Sequence, residues 1–429
     1  MQRAFGSYGT CDSARPNSLS GKKRVVVTGF GLVTAVGNGE PSFWSSLVTG
    51  RTGLRKVRHC DLSANRVQNG GEVDTEILEA NLPPQFKRSD RCLKFAFEAS
   101  RQALTAAGRL AGPSAAPQEI GSIWGCGVGQ SEMIERAHAC FFDKGPRGMR
   151  PSSIPNCMAN SLAANISIHF RLTGPNYVIA SACTSATNAM GVAFRMISEG
   201  HAQSVLCGGA ESPLSPGLYA CWNNLGVLSA IPEADQAFRP FAADRAGMLL
   251  GEGAGALVLE SLDSAKRRGA RIRGEIVGYG ESSDATHMIG QSVTGQARAI
   301  ESALHSSGIT PKSIGYINAH GTATETNDST EAQAIRQVMG DAKDGIPVGA
   351  MKSFFGHTLG ASGAIEGIGT LLALETGTAP RNLNLDRPDL ACQLDLIGET
   401  SRPITTEYAI KNTFGFGGGN AVLVFRRLS

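Results

Sequence analysis

Apolar residues along the chain form short runs that alternate with longer segments of helical periodicity. Most of the short runs are rich in β-branched residues and end in a turn, which is typical of buried strands. Strands are predicted for RVVVTGFGLV (24–33), IGSIWGCGVG (120–129), YVIASAC (177–183), SVLCGGAES (204–212) and GALVLESL (255–262). Helices are predicted for 41–50, 90–107, 186–200 and 263–270. This alternation predicts an α/β protein with a mainly parallel sheet covered on both faces.

Three segments of the first half of the chain are echoed in the second half, in the same order. RVVVTGFG at 24 resembles EIVGYGES at 275, and IGSIWGCGVG at 120 resembles IGYINAHGTA at 314. SACTSATNAMGVA is echoed by GHTLGASGAIEG at 356–367. Chance could give any one echo, but three in order indicate two related halves, joined near 262–273. We predict halves at 23–265 and 266–429, preceded by a flexible N-terminal extension at 1–22.

Composition and charge exclude several classes of protein. The chain has 429 residues, 41% apolar content and 53 glycines, which favours a large buried interior with many tight turns. A net charge of +3 gives no reason to expect a nucleic-acid partner. We find neither an apolar run long enough to span a membrane nor a secretory signal in 1–22. Ten cysteines without CxxC or zinc spacing predict no metal site and a reducing, cytoplasmic location.

Cys183 lies where a predicted strand meets a predicted helix. The positive end of that helix would lower the pKa of the thiol and favour the thiolate. Small neighbours, among them Ala182 and Ser185, would let a substrate carbonyl approach the sulfur. This segment alone fits a catalytic nucleophile and a core cysteine equally well.

Two histidines favour the nucleophile. His320 follows an apolar strand in INAHGTATETND, and His357 lies on a glycine-flanked turn in MKSFFGHTLGASGAIEG. A single histidine is more often structural, but each of these two belongs to one of the duplicated loops. Because the functional loops of parallel sheets lie at the carboxyl ends of the strands, Cys183, His320 and His357 are expected to share one rim.

A glycine-rich loop precedes the last predicted strand, in KNTFGFGGGNAVLVF (411–425). A strand follows this loop, whereas a phosphate-binding glycine loop is followed by a helix. The loop is therefore better suited to donate backbone N–H groups to an oxyanion.

Four blocks, ASACTSA, NAHGTAT, KSFFGHTLGASGAIE and NTFGFGGGN, make the chain resemble the elongating, type II β-ketoacyl-(acyl carrier protein) synthases from about residue 24 to 425. The resemblance implies an α/β, thiolase-like fold of two duplicated βαβ halves, layered α-β-α-β-α. It implies decarboxylative Claisen condensation of a Cys-bound acyl chain with a malonyl carrier protein, in fatty-acid biosynthesis. It implies no metal and no cofactor of the enzyme's own, because the substrates are carried on phosphopantetheine.

The resemblance also implies roles for individual residues. Cys183 would carry the acyl chain, and the backbone N–H groups of Cys183 and Phe416 would form the oxyanion hole. His320 and His357 would bind the malonyl thioester carbonyl and stabilise the enolate. The other implied roles are a supporting polar pair (Lys352 and Glu366), a gate (Phe414), contacts with phosphopantetheine (Thr322 and Thr324) and an acyl pocket (Val128 and Trp222).

An acidic carrier protein is the implied partner. Basic residues in QFKRSDR and GPRGMR are candidates for its docking site: Lys87, Arg88, Arg91, Arg147 and Arg150. A homodimer is expected, and a heterodimer with a related subunit is the alternative.

Departures from the family pattern leave the pathway open. Gly419 stands where many relatives carry Thr, Glu325 and Thr326 differ from house-keeping members, and Trp222 would shorten or reshape the acyl pocket. The alternative function is therefore a ketosynthase of a specialised type II polyketide or polyene pathway. A thiolase is disfavoured because the terminal loop lacks its second cysteine, and Cys392 lies well upstream. Initiating synthases carry Asn where His357 stands, and non-catalytic chain-length subunits lack the nucleophilic cysteine.

Overall fold

A computed structural model of the chain describes residues 21–111 and 114–428, so nearly all of the predicted extension at 1–22 lies outside the described residues. The strands are β1 (Val25–Thr34), β2 (Gly37–Asn38), β3 (Arg55–Lys56), β4 (Asn69–Gly70), β5 (Gly121–Gly125), β6 (Asn176–Ile179), β7 (Ser204–Glu211), β8 (Gly253–Ser261), β9 (Gly274–Ser283), β10 (Ile314–Asn318), β11 (Val348–Gly349), β12 (Thr378–Ala379), β13 (Arg402–Pro403), β14 (Tyr408–Phe414) and β15 (Gly419–Arg426).

The helices are α1 (Glu40–Thr49), α2 (Glu76–Asn81), α3 (Pro84–Lys87), α4 (Arg91–Ala106), α5 (Ser131–Lys144), α6 (Ser153–Cys157), α7 (Ser161–Phe170), α8 (Ser185–Ser198), α9 (Pro216–Asn224), α10 (Leu262–Arg267), α11 (Val293–Ser307), α12 (Glu325–Met339), α13 (Lys352–Phe355) and α14 (Ser362–Thr376). Every strand and helix predicted from the apolar pattern is present. Two strands end four residues earlier than predicted: β5 ends at Gly125, and β6 ends at Ile179, where the chain turns toward Cys183 and α8.

Ten strands form one hydrogen-bonded path whose two halves repeat the same order. The first half runs β6-β5-β7-β8-β1 and the second runs β11-β10-β14-β15-β9. If the five strands of each half are numbered in the order in which the chain forms them, both halves have the same spatial order: third, second, fourth, fifth, first. The two halves meet where three residues of β1, Val25–Val27, pair with β9. The predicted duplication is therefore confirmed, and its strand echoes fall on the equivalent pairs β1/β9 and β5/β10.

The prediction of a mainly parallel sheet is wrong. The pairs β5–β6, β5–β7, β10–β11 and β10–β14 are parallel, but β8 and β15 run antiparallel to both of their neighbours, and β1–β9 is also antiparallel. All nine residues of β8 are buried. A strand buried on both faces is apolar throughout whichever way it runs, so its sequence carries no signal of direction.

Helices form three layers around the two halves. The outer layers are α4, packed on β1, β7 and β8, and α11, packed on β9 and β15 with α12 beside it. Between the halves lie α8 and α14, each of which contacts strands of both halves and the other helix. The result is the α-β-α-β-α arrangement of the thiolase-like fold. The central α14 is buried from Ser362 to Leu374, which explains why its sequence is mostly apolar on all sides, with Glu366 as the charged exception.

The two central helices begin at the loops that carry the candidate chemistry. Cys183 lies between β6 and α8, and His357 lies between β11 and α14, which are equivalent positions in the two halves. His320 lies two residues after the end of β10. The nine cysteines among the described residues are all free thiols. Within the same residues, no helix combines the length and the apolar character that a membrane span requires.

Candidate active site

Three loops converge at the site, and each contains a non-glycine residue in the left-handed backbone region. These residues are Ala182 (φ 53°), Ala323 (φ 57°) and Leu359 (φ 42°). An L-residue in this region costs roughly 1–2 kcal/mol, so the surrounding contacts must hold each turn in place. In the first loop, Ser185 accepts a hydrogen bond from the Ser181 N–H (2.9 Å) and donates one to the Ala182 carbonyl (2.6 Å).

The structure brings Cys183, His320 and His357 together. Sγ of Cys183 lies 3.1 Å from Nε2 of His357, and the two imidazole rings are 5.3 Å apart at 82°. One ligand-type atom of each residue lies within 4.8 Å of the others. Cys183 is only 7% exposed and both histidines are 1% exposed. The site is therefore a buried cluster of one sulfur and two imidazoles.

Burial determines the protonation of these three side chains. It raises the pKa of Cys183 to about 11, although the charge of Lys352 and the N–H of Phe416 act in the opposite direction. Burial, followed by the charge of Lys352, holds the pKa of His320 and of His357 well below the usual value. The expectation that a helix N-terminus would favour the thiolate is wrong, because desolvation outweighs it. The resting site holds a thiol and two neutral imidazoles.

The proton of His320 is assigned by its neighbour. Nζ of Lys352 lies 3.3 Å from Nδ1 of His320 and 2.6 Å from the His320 carbonyl oxygen. An ammonium group can only donate, so Nδ1 accepts and the ring proton lies on Nε2. Glu331 accepts hydrogen bonds from the backbone N–H groups of His320 (2.8 Å) and Gly321 (2.9 Å). His320 is thus a neutral N–H donor on a fixed turn.

His357 is oriented by two hydroxyl groups. Its Nδ1 lies 3.0 Å from Oγ of Ser362, which lies 3.0 Å from Oγ1 of Thr358. A hydroxyl can donate or accept, so this contact supports either tautomer of the ring. His357 can therefore accept the Cys183 proton on Nε2 or present a proton there.

A buried carboxylate lies behind the histidines, between two lysines. Oε1 of Glu366 is 2.6 Å from Nζ of Lys352, and Oε2 is 2.6 Å from Nζ of Lys411. All three side chains are fully buried. The first pair was predicted, but Lys411 was missed because a lysine in a polar motif reads as a surface residue. Lys411 lies two residues after Ala409 on β14, so the two side chains point to the same face of the strand. Ala409 packs in the central core, and this spacing could have identified Lys411 as buried.

Sequence reasoning also missed Glu211, at the end of β7. Its carboxylate accepts backbone N–H bonds from Gly127 (2.6 Å), Val128 (3.2 Å), Gly129 (3.2 Å) and Gly360 (3.1 Å). Burial raises its pKa although these donors act against that rise. Glu211 connects the turn after β5 to the loop that carries His357.

A cavity of about 160 Å³ lies in front of Cys183. The ring of Phe414 stands edge-on to His320 at 6.0 Å, and Trp222 stacks on Phe416 at 5.6 Å. Thr322 and Thr324 share a hydrogen bond of 2.9 Å between their hydroxyls. The cavity is lined by Cys183, His320, His357, Trp222, Phe414, Phe416, Thr322, Thr324, Thr326, Asn327, Val227, Met248, Ile289 and Gln291.

Val128 does not line the cavity in front of Cys183. It lines a separate cavity of about 260 Å³ with Cys126 and Cys157, and its side chain is 43% exposed. The backbone N–H of Val128 is bound to Glu211. In the single chain, the two residues assigned to the acyl pocket, Val128 and Trp222, therefore belong to different cavities.

Four of the five predicted docking residues are exposed: Lys87, Arg88, Arg147 and Arg150. Three of them, Lys87, Arg88 and Arg150, line a groove of about 440 Å³ together with Arg136. Arg91 is different, because its side chain is 11% exposed and its Nε lies 3.0 Å from Glu252. A guanidinium bound inside the protein is not available to a partner, so Arg91 is removed from the docking set.

Comparison with known proteins agrees with this geometry. Residues 22–265 match the family described as "Beta-ketoacyl synthase, N-terminal domain", and residues 273–386 match its C-terminal domain. A protein of Synechocystis sp. named "3-oxoacyl-[acyl-carrier-protein] synthase 2" is 40% identical over 413 residues, which is 95% of this chain and 98% of that protein.

Two solved structures share the fold. "The ishigamide ketosynthase/chain length factor" superposes with a TM-score of 0.88 at 32% identity. The structure titled "AntDE:AntF (apo): type II PKS acyl-carrier protein in complex with its ketosynthase bound to the hexaketide" superposes with a TM-score of 0.87 at 29% identity. Each covers 95% of this chain and 100% of the other. With both halves matched and a thiol beside two imidazoles, the chain belongs to the beta-ketoacyl synthase family.

Proposed function

We propose that the chain is a 3-oxoacyl-(acyl carrier protein) synthase, which condenses a Cys183-bound acyl chain with a malonyl unit as carbon dioxide leaves. The observation that carries this proposal is the buried thiol 3.1 Å from one neutral imidazole, with a second imidazole beside it. The name of the Synechocystis relative supports the same reaction.

Acyl transfer begins with the thiol. Because its pKa is raised, the sulfur must lose its proton as it attacks the thioester carbonyl, and Nε2 of His357 is the nearby base. The backbone N–H groups of Cys183 and Phe416 both approach this sulfur, so they suit the role of oxyanion donors. One such donor is worth roughly 3–4 kcal/mol. The carrier sulfur then leaves and takes the proton back from His357.

Decarboxylation places negative charge on the malonyl thioester oxygen. The N–H of His320 and, in its other tautomer, the N–H of His357 would donate to that oxygen. Low imidazole pKa values keep both rings neutral, which avoids an imidazolium that could protonate the enolate carbon. The enolate carbon attacks the acyl thioester, the C–C bond forms, and the Cys183 sulfur leaves as a thiolate, which takes up a proton from solvent to restore the thiol. Phe414, edge-on to His320, would act as the gate for the malonyl unit, and Thr322 and Thr324 would contact its phosphopantetheine arm.

Two substitutions separate the half-reactions. Cys183→Ala should abolish covalent acylation in intact-mass spectra, because Cys183 is the thiol that lines the cavity with His357 as its base. His320→Ala should still become acylated, yet should release carbon dioxide from malonyl carrier about 100-fold more slowly, since it loses one buried donor. Acylation of Cys183→Ala at another cysteine, or normal carbon dioxide release by His320→Ala, would refute the assignment.

The acyl pocket is proposed to end at the stacked rings of Trp222 and Phe416. Trp222→Ala should therefore shift the preferred acyl chain upward by about two or more carbons, because the substitution opens indole-sized space. The measurement is intact-mass acylation with saturated and polyene acyl carriers of increasing length. Leu225→Ala, an exposed site outside the cavity, is the control. An unchanged ranking would contradict the proposal, and preference for polyene chains would favour the polyketide alternative over fatty-acid elongation.

The carrier protein is proposed to dock at the basic groove lined by Lys87, Arg88, Arg136 and Arg150, with Arg147 nearby. The solved complex of a type II ketosynthase with its carrier protein supports a carrier as the partner. Charge complementarity to an acidic carrier acts on encounter more than on chemistry.

The double variant Lys87→Glu/Arg88→Glu should raise the KM for acyl carrier at least about ten-fold, with little change in kcat, and high salt should shrink the difference. Lys312→Glu is the matched control, because Lys312 is exposed on the turn before β10, opposite the end that leads to His320. Equal KM values for the double variant and the control would disprove this docking site.

We infer a homodimer from the edge of the first half. Among the described strands, β6 pairs only with β5, so its other edge is open. Exposed strand edges are usually paired or covered. Antiparallel pairing of β6 with its copy would join two chains there. Sedimentation equilibrium should give the mass of two chains, and Val178→Pro should shift it to one. A single-chain mass for the unmodified protein would exclude the dimer.

A further inference from the structure

The buried carboxylate of Glu366 is shared by two cations that come from different elements. Lys352 belongs to α13 and Lys411 to β14, and each ammonium lies 2.6 Å from its own oxygen of Glu366. Lys352 alone would neutralise the charge of Glu366. Burying Lys411 as a third charged group has a desolvation cost that other interactions must offset. Lys411 has no contact with the cavity in front of Cys183.

The positive charge of Lys411 offsets the negative charge of the buried carboxylates around it. Lys352 and Lys411 are the buried cations, and Glu366 and Glu331 are the buried carboxylates that act on Lys411. Burial, and after it the charge of Glu366, also raises the pKa of Tyr316 on β10. The charges of both lysines reach the two histidines and hold their pKa values down. Without Lys411, the buried carboxylates Glu366 and Glu331 would lose the cation that both of them act on, just where the reaction builds a further negative charge.

We propose that Lys411 is a positioning residue for the condensation: it binds the second oxygen of Glu366, leaves the charge of Lys352 to act on His320, and so stabilises the enolate. This inference rests on the proposed function. Lys352 stands 3.3 Å from Nδ1 of His320, and a cation behind that nitrogen polarises the Nε2–H toward the enolate oxygen. Lys411 acts through this relay and touches no substrate.

Protonation of Lys411 offers a direct readout. Burial lowers the pKa of Lys411 to about 8. Below this pH the side chain is charged and supports the enolate, and above it the neutral amine does not. Carbon dioxide release by the unmodified enzyme should therefore fall as pH rises through about 8. Cys183, with a pKa of about 11, titrates outside this window.

The test compares Lys411→Met and Lys411→Gln with the unmodified full chain. Nζ of Lys411 donates to the Asn412 carbonyl and lies 3.3 Å from Oγ1 of Thr413, contacts that glutamine can replace without a charge. Carbon dioxide release from malonyl carrier is measured at saturation across roughly pH 6 to 9.5. Both variants should lose at least about ten-fold in kcat at pH 7, with little change in KM, and should lack the fall near pH 8.

Two results would overturn the proposal for Lys411. A Gln variant as fast as the unmodified enzyme would overturn the proposal, because Lys411 would then serve only through hydrogen bonds. Persistence of the fall near pH 8 in either variant would also overturn it. If Lys411→Met does not fold, by circular dichroism, the Gln variant alone decides. An unmodified enzyme that releases no carbon dioxide would instead refute the proposed function.

Discussion

The packing of α8 against α14 is the constraint on which the site depends. Gly363 permits it, because a Cβ at this position would lie 2.1 Å from Oγ1 of Thr187. Each helix begins just after one reacting side chain, so their close approach brings the Cys183 loop against the His357 loop. The 3.1 Å contact between sulfur and imidazole is a consequence of the duplicated topology. A two-fold repeat of the fold therefore carries an asymmetric pair, a thiol in one half and an imidazole that faces it from the other.

The site lies between the two halves and its three side chains are buried, and its chemistry follows from that burial. Desolvation raises the pKa of the Cys183 thiol and lowers those of both imidazoles, so the ground state carries no charge in front of the substrate. The charges are kept behind His320, in the cluster of Lys352, Glu366 and Lys411. Fixed charges in a medium of low dielectric constant act strongly on a transition state, and they need no reorganisation when the enolate forms.

The sequence was sufficient for the elements and for the three side chains that the structure brings together, Cys183, His320 and His357. Glycine turns, apolar runs and the echoes between halves are local signals, and the blocks around Cys183, His320 and His357 are contiguous. The predictions that failed concern burial and contacts between residues that are distant in sequence. Strand direction of β8 leaves no trace in a strand buried on both faces, and Arg91 looks like a surface residue until Glu252, 161 positions away, is found beside it. The thiol pKa was mispredicted because a helix terminus can be read locally, whereas burial cannot.

Buried carboxylates hold the strained loops in place, and this explains residues with no apparent chemistry. Glu211 binds the N–H of Gly360 next to the left-handed Leu359, and Asp328 binds that of Ala323, which is itself left-handed. Glu331 likewise accepts a hydrogen bond from the backbone N–H of His320. Water could satisfy these N–H groups equally well, but mobile water would not define the position of an imidazole to a fraction of an ångström. Burial raises the pKa of all three carboxylates, so rigid loops around the buried site come at a cost in stability.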